Sequence, residues 1–105
     1  MAADPNKRLA VLEQMVTSGK ADSFAYYGLG MEYRRMGRFA ESVVTFEKLR
    51  ERDPGYLPMY LMVGQVLLTD LGDPEKATEW LQAGIALARE KGDMKALGEL
   101  EAALP

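Results

Sequence analysis

Residues able to carry reaction chemistry are scarce in this chain. It has no histidine and no cysteine, so the usual general base and the usual thiolate nucleophile are missing. Carboxylates, lysine, tyrosine and serine remain. Asp4, Asp22, Asp53, Asp73 and Asp93 all fall at expected helix boundaries, where an Asp side chain accepts an orphan backbone N–H. Glu47 with Glu51, and Glu75 with Glu79, are four residues apart, which makes each pair exposed neighbours on one helix instead of a convergent acid and base. No Asp or Glu cluster has metal-loop spacing. Gly28-Leu29-Gly30 has two glycines of a dinucleotide-binding turn, but the third is absent and no strand precedes it. Arg34, Arg35 and Arg38 form the one basic cluster, flanked by Glu32 and Glu41 in a chain of net charge −3, which is no footprint for nucleic acid. The residues therefore predict no enzyme, no cofactor, no metal site and no nucleic-acid partner.

The elements that hold these residues read as helices throughout. With 105 residues and 48% hydrophobic composition the chain can fill one core, so a single domain over 1–105 is expected. Asp4-Pro5 opens the first helix, and Leu9, Leu12, Met15 and Val16 follow at steps of three and four, which is one apolar stripe. Thr17-Ser18-Gly19 stops it. Asp22 or Ser23 caps a second helix running to about Met36, and Gly37 separates it from a third over about 38–52. Asp53-Pro54-Gly55 ends the third, a fourth covers roughly 57–71, and Gly72-Asp73-Pro74 leads into a fifth reaching about Glu90. After Lys91-Gly92-Asp93, a short closing helix covers Met94 to Leu104. No stretch alternates with period two, so no sheet is expected. Neither an apolar leader in 1–8 nor an apolar run approaching membrane length is present. Together with the missing cysteines, this predicts a cytoplasmic protein with no membrane partner.

Gly30, Gly64 and Gly98 recur at a spacing of 34 residues, each behind an aliphatic residue: Leu29, Val63 and Leu97. Glycine inside a helix costs about 1 kcal/mol against alanine, so Gly30 and Gly64 predict close approach of a partner helix. A 34-residue period marks stacked helix-turn-helix units. Tyr26, Leu29, Gly30, Tyr33, Gly37, Phe39, Ser42, Phe46 and Pro54 stand in an order that resembles the tetratricopeptide repeat, with Ser42 where alanine is usual. A second copy offers Tyr60, Val63, Gly64, Leu67, Gly72, Ala77, Leu81 and Gly84, with a turn one residue longer and no closing proline. The resemblance implies an all-α, right-handed α-solenoid of antiparallel helical hairpins. Repeat 1 would span 22–55 and repeat 2 would span 56–90, between an N-terminal capping helix at 4–18 and a C-terminal one at 93–104. Tyr26, Tyr33, Phe39, Phe46 and Tyr60 are expected in the core, and Trp80 against the closing helix.

In that family partners dock on a concave groove lined by the first helix of each repeat. The resemblance places Phe24, Tyr27, Met31 and Arg34 of repeat 1 there, with Pro58, Leu61, Gln65 and Leu68 of repeat 2. Some members hold a C-terminal carboxylate with Lys, Asn and Arg at these places, which this chain does not have. Tyr, Met and Leu instead suit an apolar peptide or the apolar face of an amphipathic helix, with Arg34 selecting an acidic group. The expected function is a protein-interaction scaffold. The alternative is a self-associating structural protein, a homodimer through helix 57–71, which is apolar nearly all round.

Overall fold

Capping aspartates and turn glycines cut the chain where the sequence predicts. In the computed structural model, which describes residues 5–105, the elements are α1 (Pro5–Thr17), α2 (Ser23–Arg35), α3 (Phe39–Arg52), α4 (Pro58–Gln65), a π-helical turn (Val66–Asp70), α5 (Pro74–Lys91) and α6 (Met94–Ala103). There is no strand among the described residues. Asp22, Asp73 and Asp93 accept from the backbone N–H groups of Ala25, Lys76 and Ala96 at 2.8, 3.1 and 3.0 Å, each satisfying a donor that the first helical turn leaves orphaned. Asp4 lies outside the described residues. Asp53 departs from the expected capping role. Its Oδ2 accepts from the Ser23 hydroxyl at 2.6 Å, so it ties the end of α3 to the start of α2.

The described residues form two compact units that divide between Asp53 and Pro54. In the first, α2 and α3 make a hairpin around Gly37, whose φ of +77° is a left-handed turn that glycine enters without penalty. Phe46 and Leu49 are fully buried, with Tyr26, Leu29 and Tyr33 beside them in the core. At Gly30 an added Cβ would lie 2.5 to 2.8 Å from three atoms of the Phe46 ring. The glycine is thus the notch that receives the phenyl group. Ser42, fully buried, donates its hydroxyl to the Gly30 carbonyl at 2.7 Å, which explains a polar residue where a small apolar one is usual. On the other side of α2, Leu9, Leu12 and Val16 of α1 pack against Leu29, Tyr33 and Met36. Two residues depart from their expected places: Met15 of the α1 stripe is 36% exposed, and Phe39 is only half-buried.

The second unit repeats the device with one change. Gly64 receives Leu81, with a would-be Cβ 2.5 Å from its Cδ2. From Gly30 to Phe46 there are sixteen residues, and from Gly64 to Leu81 there are seventeen. The π-helical turn, absent from the sequence reading of one continuous helix over 57–71, accommodates the extra residue. The Leu71 N–H donates to the Val66 carbonyl five residues back at 3.0 Å, the bonding by which a helix absorbs a single insertion. Trp80 lies with its ring 5.8 Å from that of Tyr60 on α4, a partner the sequence did not indicate. At Gly84 a Cβ would meet Tyr60 Cβ at 2.6 Å and Leu100 of α6 at 3.0 Å, so this glycine brings α4, α5 and α6 together. On α6, Leu97 and Leu100 are buried, whereas Met94 is 70% exposed and Gly98 has no atom within 4 Å of a would-be Cβ. The third glycine of the 34-residue series therefore receives nothing in this chain.

Candidate partner-binding surface

The hairpins turn one face of each first helix inward and leave another outward. On α2 the inward face is Tyr26, Leu29, Gly30 and Tyr33. Phe24, Tyr27, Met31 and Arg34 then follow on the other side by helical periodicity. Phe24 is 73% exposed and Met31 is 40% exposed. Tyr27 is half-buried because its ring meets Phe46 edge-on at 5.8 Å, and Arg34 is half-buried as well. On α4 and the π-helical turn, Met59, Tyr60, Val63, Val66 and Leu67 are buried. Pro58 and Gln65 are exposed, and Leu61 and Leu68 half-buried. Of the apolar segment that motivated the homodimer alternative, Leu57, Leu61, Met62 and Leu68 are half-buried and Leu71 is exposed. Phe24, Tyr27, Met31 and Arg34 lie on α2, Pro58, Leu61 and Gln65 on α4, and Leu68 on the π-helical turn.

Electrostatics around α2 differ from a bare basic cluster. Glu32 is buried. Its Oε2 accepts from Arg35 Nη2 at 2.9 Å, and its Oε1 accepts from Arg8 Nη1 at 3.4 Å. The hydrogen bond from Arg35 holds this carboxyl below the ordinary carboxylate range against the opposing effect of burial, with the Arg8 bond adding to it. Arg38 grips Glu41 through two bonds of 2.7 and 2.6 Å and stands 4.7 Å over the Tyr33 ring. Burial, helped by a hydrogen bond to Glu13, pushes the Tyr33 phenol up to about 12.

Both shifts have consequences with a definite sign. Glu32, lowered in the fold from its ordinary value of 4.5, contributes stability that is present above the unfolded value and lost as pH falls through the folded one. Glu32→Gln is expected to unfold at lower urea concentration than the parent at neutral pH, and the difference should close as the pH is taken below about 4. A constant difference across that range would show that Glu32 acts by packing alone. Tyr33, raised from 10.0 to about 12, has the opposite sense: its contribution is intact below the unfolded value and is lost as pH climbs through the folded one.

Comparison with known proteins decides what kind of hairpins these are. The tetratricopeptide repeat model matches residues 25–56 and again 57–91. The chain belongs to the tetratricopeptide repeat family. A solution structure of protein BPP2914 from Bordetella parapertussis superposes with a TM-score of 0.78 at 25% identity, covering 99% of this chain and 86% of that one. No curated protein matches the sequence. The two matched repeats correspond to α2 with α3 and to α4 with α5, leaving α1 and α6 as flanking helices. Tetratricopeptide repeats form protein–protein interaction scaffolds, and this chain is a scaffold of that general kind. Among the described residues no three of Asp, Glu, His or Cys gather as a metal site, and no helix is long and apolar enough to cross a membrane.

Sequence reasoning missed the Arg8–Glu32–Arg35 arrangement and the Ser23–Asp53 tie. Arg8 and Glu32 are 24 positions apart and Ser23 and Asp53 are 30 apart, separations over which periodicity carries no information, whereas Glu32 and Arg35 are an i,i+3 pair on α2. Glu32 did carry a signal, since by helical spacing it sits between inward and outward faces of α2 and amid arginines.

Proposed function

We propose that this tetratricopeptide scaffold binds an apolar peptide, or the apolar face of an amphipathic helix, on the outward faces of its first helices. Repeat 1 contributes Phe24, Tyr27, Met31 and Arg34, and repeat 2 contributes Pro58, Leu61, Gln65 and Leu68. The observation that carries this reading is the exposure of Phe24 and Met31, two large adaptable apolar side chains seven residues apart on one helix face. Large exposed aromatics and methionines supply binding area at low entropic cost, and hot spots concentrate in such anchors. Arg34 adds a cation beside them that fits an acidic group on the partner.

Tyr27→Ala combined with Leu61→Asp is expected to abolish capture of partner proteins from a native lysate while far-ultraviolet circular dichroism stays helical. Loss of one face alone, by either single substitution, should weaken capture by about tenfold or more. Unchanged capture by the double variant would remove these faces from the binding surface.

A further inference from the structure

Outside the matched repeats, α1 does more than cover the core. Between α1 and α2 lies an open cleft of about 530 Å³ lined by Arg8, Val11, Leu12, Phe24, Met31 and Glu32. Its walls are apolar and its rim is charged. Val11 is 53% exposed and Phe24 73%, so apolar surface faces water here in a way that α2 alone does not explain. Gly28 also lines the cleft, where a Cβ would meet only Leu12 at 4.0 Å; the backbone is bare at that point without being needed for any close helix approach.

The rim decides the sign of the charge that fits. Both Glu32 oxygens are already engaged, Oε1 by Arg8 and Oε2 by Arg35, whereas the two arginine side chains are 56% and 59% exposed. Arg8 and Glu32 line the cleft and Arg35 pairs with Glu32 from outside that lining, so the three groups together carry one net positive charge beside an apolar cleft. A buried carboxylate that fixes two cations also lowers the entropy that a ligand would otherwise have to remove from them.

We propose that this cleft holds an acidic peptide segment, with a large apolar side chain seated among Val11, Leu12, Phe24 and Met31 and a neighbouring carboxylate against Arg8. Glu32 is a positioning residue, holding Arg8 at the rim while its other oxygen is taken by Arg35. The apolar lining and a single net charge fit a peptide rather than a polyanion, whose binding needs several cations. The inference rests on the protein-binding reading through Phe24 and Met31, but its own determinants, Arg8, Val11 and Gly28, lie outside the groove set.

The test is selection of random peptides displayed on phage against the full chain, with the enriched peptides synthesised and titrated by fluorescence anisotropy. Enriched sequences should pair Asp or Glu with Leu, Phe or another large apolar residue, and their affinity should fall as salt is raised. Arg8→Glu should weaken them by about tenfold or more. Gly28→Leu should weaken them comparably by filling the cleft, while thermal unfolding confirms that the fold is kept, since removing a helical glycine favours the helix. Enrichment of basic or uncharged peptides overturns the proposal. So does equal binding to parent, Arg8→Glu and Gly28→Leu; if those peptides are nevertheless lost with Tyr27→Ala and Leu61→Asp, the first-helix reading stands and only the cleft falls. Failure to enrich any peptide overturns both.

Discussion

Phe46→Ala is expected to destabilise the protein by about 3–5 kcal/mol, the cost of emptying a well-packed aromatic site. Phe46 is wholly buried, its ring fills the notch at Gly30, and Tyr27 meets it edge-on. Truncation removes all of these contacts and leaves a cavity that the Ser42–Gly30 hydrogen bond keeps from collapsing. Since domains of this size have about 5–15 kcal/mol in total, the loss is a large share of the fold. Urea unfolding followed by circular dichroism measures it. The tyrosine on the outward face loses its support at the same time, so Phe46→Ala should weaken partner capture as well, although Phe46 is buried.

The second large effect lies at the glycines, where the same substitution has opposite signs along the 34-residue series. Gly30→Ala should destabilise by about 2 kcal/mol: overpacking a closed core costs about 1–3 kcal/mol, while replacing a helical glycine returns about 1 kcal/mol. The upper part of that range applies because the added Cβ meets three atoms of a rigid, enclosed ring at 2.5 to 2.8 Å. Gly98→Ala meets nothing within 4 Å and should stabilise α6 by up to about 1 kcal/mol. Thermal melts of the two variants beside the parent test both signs together. Two variants shifting in the same direction would mean that the period reflects repetition alone and not packing.

That contrast shows what could be read from the chain and what could not. Gly30 and Gly64, followed by Phe46 and Leu81, announced helix pairs in contact, because helical glycine is costly unless something occupies the space. Gly98 looks identical in sequence. Its emptiness became visible only once α6 was seen to present Leu97 and Leu100 inward with no helix packed over its glycine. The extra residue between Gly64 and Leu81 was countable as a longer turn, yet the count does not say that it is taken up in a π-helical turn at Val66–Asp70. Asp22, Asp73 and Asp93 declared themselves as caps because capping is local. Asp53 did not, since its hydroxyl donor, Ser23, is thirty residues away.

For the candidate surface the balance is similar. The resemblance to the repeat family offered Phe24 and Met31 as groove positions, and both side chains are exposed on α2. The charge lining was legible only in part: Glu32 and Arg35 are three apart on α2, whereas Arg8 reaches Glu32 only because α1 lies across α2, and no spacing in the sequence encodes that crossing. Arg38, read as part of a basic cluster, is engaged by Glu41, and Arg35 of the same cluster shares Glu32 with Arg8 of α1.

The packing of each hairpin through its glycine notch is tested most directly by a double-mutant cycle joining Gly30→Ala and Phe46→Ala. Shortening Phe46 vacates the space that the new methyl group needs. The double variant should then be no less stable than Phe46→Ala alone, with a coupling of about 2–3 kcal/mol between the two sites. If the two losses simply add, so that the double variant falls about 2 kcal/mol below Phe46→Ala, position 30 does not receive the Phe46 ring and the account of the fold is wrong.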